Sequence, residues 1–163
     1  MSEEEALCRR LLDACRARGL RLATAESLTA GRIAATLCDV PGASDVVDRG
    51  WVVYSYAAKT AMLGVDPELL ARDGAVNEAV ARAMVDGALA RGAPEVSLVL
   101  AVTGVAGPGP SEGRPAGRVH LAAALRGGPT LHVQKDYGAI GRAEVRAATV
   151  RDALSLALER LGA

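Results

Sequence analysis

Apolar positions along the chain alternate between a helical period and a strand period. Over residues 3 to 18, Leu7, Leu11, Ala14 and Cys15 share one helical face, and Gly19 supplies a stop. "LRLATA" then reads as a short strand. "ESLTAGRIAATLCDV" opens with capping-type residues and continues as a small-residue helix up to Pro41, which puts Ser27 at a strand-to-helix turn. "VVDRGWVVYSY" is strand-like around Trp51 to Tyr54, and "SYAAKTAMLGV" returns to a short helix that Ser55 can cap, with Lys59 in its first turns. "VNEAVARAMVDGALARG" places Val76, Val80, Ala83, Met84 and Gly87 on one stripe, capped by Asn77 and stopped by Gly92.

"EVSLVLAV" is a nearly continuous apolar run, as expected of a central strand covered on both faces. It leads into "TGVAGPGPSEGRPAG", residues 103 to 117, too rich in Gly and Pro for helix or strand. "RVHLAAAL" and "TLHVQKDY" flank Arg-Gly-Gly-Pro and predict a hairpin with residue 125 opposite 130. A closing helix carries Val150, Leu154, Ala157, Leu158 and Leu161 on one face and is opened by Arg142 and Arg146. These elements predict a single three-layer α/β domain over residues 1–163. Its mixed sheet has a C-terminal β-hairpin and helices on both faces, and no repeat or linker interrupts it.

Composition narrows the function classes. A chain of 163 residues is long enough for one sizeable core. Its apolar half is mostly Ala, Leu and Val, with no Phe and one Trp, which favours close packing of helices on a sheet. Formal net charge is zero and the Arg are scattered, so neither a nucleic-acid stripe nor a basic membrane face is indicated. The expected partner is a small molecule. Cys8 and Cys15 stack on one helical face too far apart for a disulfide, and the three cysteines include no CxxC pair. The acidic "MSEEEALCRR" start and the lack of a long apolar run give cytoplasmic as the expected location.

Candidate chemistry centres on two residues. All but two of the nineteen Lys plus Arg are Arg; the exceptions are Lys59 and Lys135. A lysine, unlike an arginine, can be driven to its neutral, proton-accepting form by burial. Ser27 reads either as an N-cap or as a nucleophile assisted by a helix N-terminus, and Ser-Lys pairs are a known substitute for Ser-His. His120 and His132 lie on paired strands, but the expected register turns them to opposite faces, and no metal site is predicted. The glycine loop lacks the P-loop Gly-Lys-Ser/Thr. It reads as an anion or oxyanion cradle or as plain surface.

Together these pieces resemble the CinA C-terminal domain family, whose stand-alone members are nicotinamide mononucleotide amidohydrolases. The resemblance rests on "TAESLTAG", where the family writes Ala-Glu-Ser-Cys-Thr-Gly-Gly, and on "YSYAAKTAMLGV", where it writes Tyr-Ser-Asn, then Lys and Leu-Gly-Val. "GAV" at 74 to 76 and "TGVAGP" before a Pro-x-Gly complete it. It implies hydrolysis of the carboxamide of nicotinamide mononucleotide to nicotinic acid mononucleotide and ammonia, a step of pyridine nucleotide salvage, without metal or cofactor. The implied catalytic residues are Ser27, Lys59 and Tyr54. Glu26, Thr29, Thr103, Gly104, Ala106, Gly107 and Arg142 are the implied substrate-binding residues, with Arg142 on the phosphate, and a homo-oligomer is expected by analogy. The chain departs from the family pattern at Leu28, Ala30, Tyr56 and Gly141, and in a shortened glycine loop around Gly109 to Glu112. A Ser-Lys amidohydrolase for another small amide, and a non-catalytic nucleotide-binding domain, remain as alternatives.

Overall fold

The computed structural model describes residues 1–163. Helix α1 (Glu3–Ala17) leads into strand β1 (Leu22–Glu26), helix α2 (Arg32–Cys38) and strand β2 (Val47–Val52). Three helices follow, α3 (Tyr56–Leu63), α4 (Pro67–Asp73) and α5 (Glu78–Arg91), then β3 (Leu98–Gly104), the hairpin β4 (Arg118–Leu125) and β5 (Thr130–Asp136), and α6 (Arg142–Leu161). The strands form one mixed sheet in the order β2-β1-β3-β4-β5. β1 is parallel to both its neighbours, and β4 is antiparallel to β3 and β5.

Period-2 alternation along the buried central strands divides the core. Leu22, Leu98, Leu100, Val102 and Leu121 face a cluster built with α1, α2 and α6. Ala23, Ala25, Val99, Ala101, Ala122 and Ala124 face a second cluster with α5 and the flanking α3 and α4. The near-absence of aromatics thus has a structural counterpart: one face of the sheet is paved with alanines, so α5 lies close against it. The topology has a further consequence. β1 is followed by β2 on one side and lies beside β3 on the other, and open parallel sheets form their crevice where such strand order reverses, outside the C-terminal strand ends. Glu26, Ser27 and Gly104 stand at that edge.

The structure differs from the sequence-based expectation at several places, the first being that Thr103 and Gly104, assigned to the glycine loop, pair with His120 and Val119 as the end of β3. Strand β2 lies earlier than Trp51 to Tyr54, because its ladder with β1 runs from Val47 to Val52 and closes when the Val53 N–H donates to the Glu26 carbonyl at 2.9 Å. Helix α4, started by Asp66 and Pro67, was not expected; Asp66 accepts from the Glu68 N–H and Pro67 needs no donor. The hairpin register is shifted by one residue. Gly128 N–H donates to the Leu125 carbonyl in a tight turn, so the ladder begins with Ala124 opposite Thr130 rather than 125 opposite 130.

One close approach fixes α3 in place. A Cβ added to Gly87 of α5 would lie 1.9 Å from the Leu63 carbonyl oxygen, so only glycine lets the end of α3 rest on α5. Gly87→Ala is expected to lower stability by about 1–3 kcal/mol through overpacking. The urea midpoint measures it, and an unchanged midpoint would show that α3 can shift without cost.

Candidate active site

Strand β1 delivers two consecutive polar side chains to opposite faces of the sheet. Glu26 follows the parity of Leu22 and points towards α2; Ser27 follows Ala23 and Ala25 and points towards α3. The Glu26 carboxylate is fully buried and accepts hydrogen bonds from the Thr29 hydroxyl (2.6 Å), the Ile33 N–H (2.9 Å) and the Ala34 N–H (3.1 Å). It therefore caps α2, whose own N-cap residue, Gly31, has no side chain to do so. Ser27 is not the cap of this helix. Glu26 and Thr29, expected at the substrate, satisfy each other and the α2 backbone and do not line the cavity at Ser27. They shape the turn that presents the serine.

Lys59 is the largest fully buried side chain of the domain, 1% exposed. The Ser55 side chain accepts from the Ala58 N–H and starts α3, which aims residue 59 at the end of β1. The Lys59 Nζ lies 2.9 Å from Ser27 Oγ, 2.9 Å from the Val53 carbonyl and 3.5 Å from the Tyr54 carbonyl. Burial lowers the Lys59 pKa from 10.5 to about 8, with Glu112 pulling weakly the other way. A neutral amine fits these partners: its two N–H groups donate to the two carbonyls, and its lone pair faces the Ser27 hydroxyl.

Ser27 and Lys59 form the floor of a cavity of about 240 Å³ whose walls include Leu28, Tyr54, Tyr56, Ala75, Thr103, Glu112 and Arg142. Of the expected binding residues, Thr103, Gly104, Ala106, Gly107 and Arg142 all line it. The Thr103 hydroxyl donates to the Ala75 carbonyl at 2.9 Å and so holds the "GAV" segment against the end of β3. Leu28, Ala106 and Gly107 line the same cavity, and their N–H groups have no acceptor within the protein. At the mouth, Arg142 donates to the Gly107 carbonyl and to the Tyr54 hydroxyl, each at 2.7 Å. Tyr54 is thus brought to the site, but its hydroxyl is engaged with Arg142 and bonds neither Ser27 nor Lys59.

Sequence reasoning missed several contributors. Val53 and Tyr54 act through backbone carbonyls, which no residue type announces. Arg146, read only as part of the opening of the last helix, donates to the Leu28 carbonyl (3.0 Å) and the Thr29 carbonyl (3.2 Å) and so pins the serine turn to α6. Two departures from the family pattern, Tyr56 and the shortened loop, meet: the Tyr56 hydroxyl donates to the Glu112 carboxylate.

The histidine expectation needs correction. With Ala122 opposite His132, both histidines project from the same face; the rings stack with centroids 5.2 Å apart, and His120 Nδ1 lies 2.9 Å from His132 Nε2. The one-residue register shift described above is the cause. Burial, with the neighbouring His132 charge, lowers the His120 pKa to about 4, and burial lowers that of His132. No group of three or more His, Cys, Asp or Glu is placed to hold a metal ion.

Fold and site together define a three-layer α/β domain with a buried serine-lysine pair at the strand-order switch of its sheet. The chain belongs to the CinA family: the CinA C-terminal domain model matches residues 4–161. It is 53% identical over 112 residues to a CinA-like protein of Akkermansia muciniphila, a match covering 68% of this chain and 27% of that protein. It is 40% identical over 162 residues to a putative competence-damage inducible protein of Lacticaseibacillus casei, covering 99% of this chain and 38% of the relative. The chain therefore spans roughly a third of the length of these curated relatives. Among solved structures, the competence/damage inducible protein CihA of Agrobacterium tumefaciens matches with TM-score 0.93 and 46% identity over 100% of this chain and 98% of the other. A CinA superfamily protein of Escherichia coli matches with TM-score 0.90 and 34% identity, over 96% and 90% of the two chains. No helix is long and apolar enough to cross a membrane.

Two predictions follow from the site's geometry. Ala30, where the family writes Gly, has φ 50, in the region that L-residues enter only at a cost. Ala30→Gly is expected to raise stability by up to about 1 kcal/mol, the relief of strain exceeding the added unfolded-state freedom; a lower thermal midpoint would contradict this. Lys59 supplies a pH signature. Between about 8 and 10.5 the unfolded chain holds a proton that the folded chain has released, so Lys59 adds to stability as pH rises through that window, and the full cost of burying its ammonium is felt below it. The stability of the wild type relative to Lys59→Met should therefore increase from pH 8 to pH 10. A flat difference would mean that Lys59 stays charged.

Proposed function

We propose that this domain, residues 1–163, hydrolyses the carboxamide of nicotinamide mononucleotide to nicotinic acid mononucleotide and ammonia by a serine-lysine mechanism. The observation that carries this reading is the 2.9 Å contact between Lys59 Nζ and Ser27 Oγ at the floor of the cavity, with the amine buried and its pKa lowered. A purely nucleotide-binding domain has no use for a desolvated lysine turned away from the cavity's anion-binding rim and towards a serine.

Neutral Lys59 takes the Ser27 proton as Oγ attacks the amide carbon. The resulting oxyanion is held by backbone N–H groups with no other acceptor, those of Leu28, Ala106 and Gly107 being at hand. As the C–N bond breaks, the Lys59 ammonium gives its proton to the departing nitrogen, which leaves as ammonia. Water then attacks the acyl-serine, losing its proton to Lys59; Ser27 regains a proton as the ester bond breaks and the acid is released. Val53 and Tyr54 carbonyls keep the amine oriented in both protonation states. Arg142 at the mouth receives the phosphate with a permanently charged, planar donor set. Tyr54, bonded to Arg142, is read here as a side chain that positions this guanidinium rather than as a proton relay.

Ammonia release from nicotinamide mononucleotide by the purified protein is the primary test. Ser27→Ala should abolish turnover while nucleotide binding remains measurable. Lys59→Arg should be nearly as inactive as Lys59→Ala, because a permanent cation cannot accept the proton; retention of about a tenth of wild-type kcat/KM, roughly a 1.4 kcal/mol loss, would remove Lys59 from the role of base. In the wild type kcat/KM should rise with pH as Lys59 loses its proton near about 8. Arg142→Ala should raise KM more than it lowers kcat, and should not affect the corresponding nucleoside. Equal losses on nucleotide and nucleoside would make Arg142 structural.

A further inference from the structure

Three ionisable side chains line the cavity: Lys59 at its floor, Arg142 at its mouth, and Glu112 on the glycine loop. The Glu112 carboxylate is held from two separate segments, α3 and the Gly74-Ala75 stretch. Tyr56 of α3 donates its hydroxyl to Oε1, the Ala75 N–H donates to Oε2 at 3.0 Å, and Gly74 leaves the space, since a Cβ there would lie 2.8 Å from Oε2. Glu112 itself is in the left-handed region, φ 54, one of only two non-glycine residues with positive φ. Arg114 of the same loop donates to the Glu112 carbonyl at 2.9 Å. A residue kept in a disfavoured backbone conformation by convergent contacts is a sign of a functional constraint. A loop of glycines and prolines does not need a carboxylate to be a loop.

We propose that Glu112 is a specificity-determining residue of this site: an anionic wall that selects amides whose ring carries a positive charge over neutral amides of the same shape. The proposal rests on the nucleotide amidase reading above and goes beyond it by assigning the discrimination to a residue of this chain's own loop. Each carboxylate oxygen keeps lone-pair capacity beyond the one hydrogen bond it accepts, and the net charge is not cancelled by neutral donors. Above about pH 8, where Lys59 is neutral, the cavity carries one negative wall and one positive mouth, which complements a substrate that is cationic beside the scissile amide and anionic at its far end. After hydrolysis the new carboxylate lies in the same cavity as Glu112, and like-charge repulsion favours release of the acid.

Titration calorimetry above about pH 8, where Lys59 is neutral, on the inactive Ser27→Ala background tests the proposal with two probes, nicotinamide mononucleotide and its reduced dihydro form, which has the same phosphate but an uncharged ring. The charged form is expected to bind roughly tenfold or more tightly than the reduced form. Adding Glu112→Gln should bring the two affinities to within about twofold of each other and tighten binding of nicotinic acid mononucleotide. Tyr56→Phe leaves the charge in place but removes one of its anchors, so it should reduce the preference without abolishing it. A Glu112→Gln protein that keeps the full preference, or a parent that binds both forms equally, overturns the selection while leaving the amidase reading intact. Failure of both nucleotides to bind, with no ammonia released by the wild type, overturns the substrate reading and the selection together.

Discussion

Burying the amine of Lys59 is the constraint on which the rest of the site depends. A buried lysine without partners is costly, and this one is accommodated by removing two backbone carbonyls from the sheet. β2 stops pairing after Val52, the Val53 N–H closes the ladder on Glu26, and the Val53 and Tyr54 carbonyls turn to Nζ. Ser55 then starts α3 at once, so the lysine reaches back to the strand end one helical turn away from its carbonyl partners. The far end of α3 is set by Gly64, in the left-handed conformation with φ 69, and by the contact that Gly87 permits. Helix start, helix stop and helix packing all serve one nitrogen position.

The same economy operates on the other side of the sheet. Because side chains alternate along β1, one dipeptide supplies a structural carboxylate to one layer and a nucleophile candidate to the other. Glu26 satisfies the first N–H groups of α2, and Arg146 from α6 satisfies the carbonyls of the turn at Leu28 and Thr29. The serine turn is therefore held from both ends while its Leu28 N–H is left without an acceptor. A charged side chain on each side of the turn, one anionic and one cationic, gives it rigidity that a seven-residue helix alone would not supply.

Much of this was legible from the sequence, and the limits have physical causes. The existence of α1, α5 and α6, the face of α6 and the apolar β3 run are repeated patterns with many residues voting, so they could be read directly, whereas the small residues of α5 left its face ambiguous: it buries Val80, Ala81, Met84, Val85 and Ala88 rather than the stripe through Ala83 and Gly87. The placement of Ser27 and Lys59 near each other followed from two strand ends sharing one edge of the sheet. Single-residue decisions were less readable. Whether Leu125 or Ala124 opens the hairpin ladder turns on one hydrogen bond in a Gly-Gly-Pro turn, and that choice alone decides whether His120 and His132 meet or point apart. Glu26 was placed at the ligand because motif reading assigns residues by position, whereas strand parity sends it to the other face. Helix α4 carries too few residues for periodicity, although Asp66-Pro67 is a recognisable start.

The cavity mouth shows how departures from a family pattern can be coupled rather than independent. Tyr56 and Glu112 lie at two such departures, and the Tyr56 hydroxyl donates to the Glu112 carboxylate, so each has the other as its partner. The loop is thereby tethered to α3 at Glu112, while at Gly107 it is tethered to α6 through Arg142. The second tether differs in kind from the first. Arg142 donates to a neutral carbonyl and a neutral hydroxyl, both weaker acceptors than a phosphate, so an anionic ligand can take the guanidinium from Gly107 and Tyr54. Glu112 is itself a charged acceptor, so an anionic ligand gains little by displacing it from the Tyr56 hydroxyl and the Ala75 N–H. On the proposed reading, the loop is thus fixed at the end that carries Glu112 and exchangeable at the end where Arg142 would receive an anion, an asymmetry that would let a ligand enter by replacing contacts at the mouth without disturbing the Ser27 and Lys59 floor.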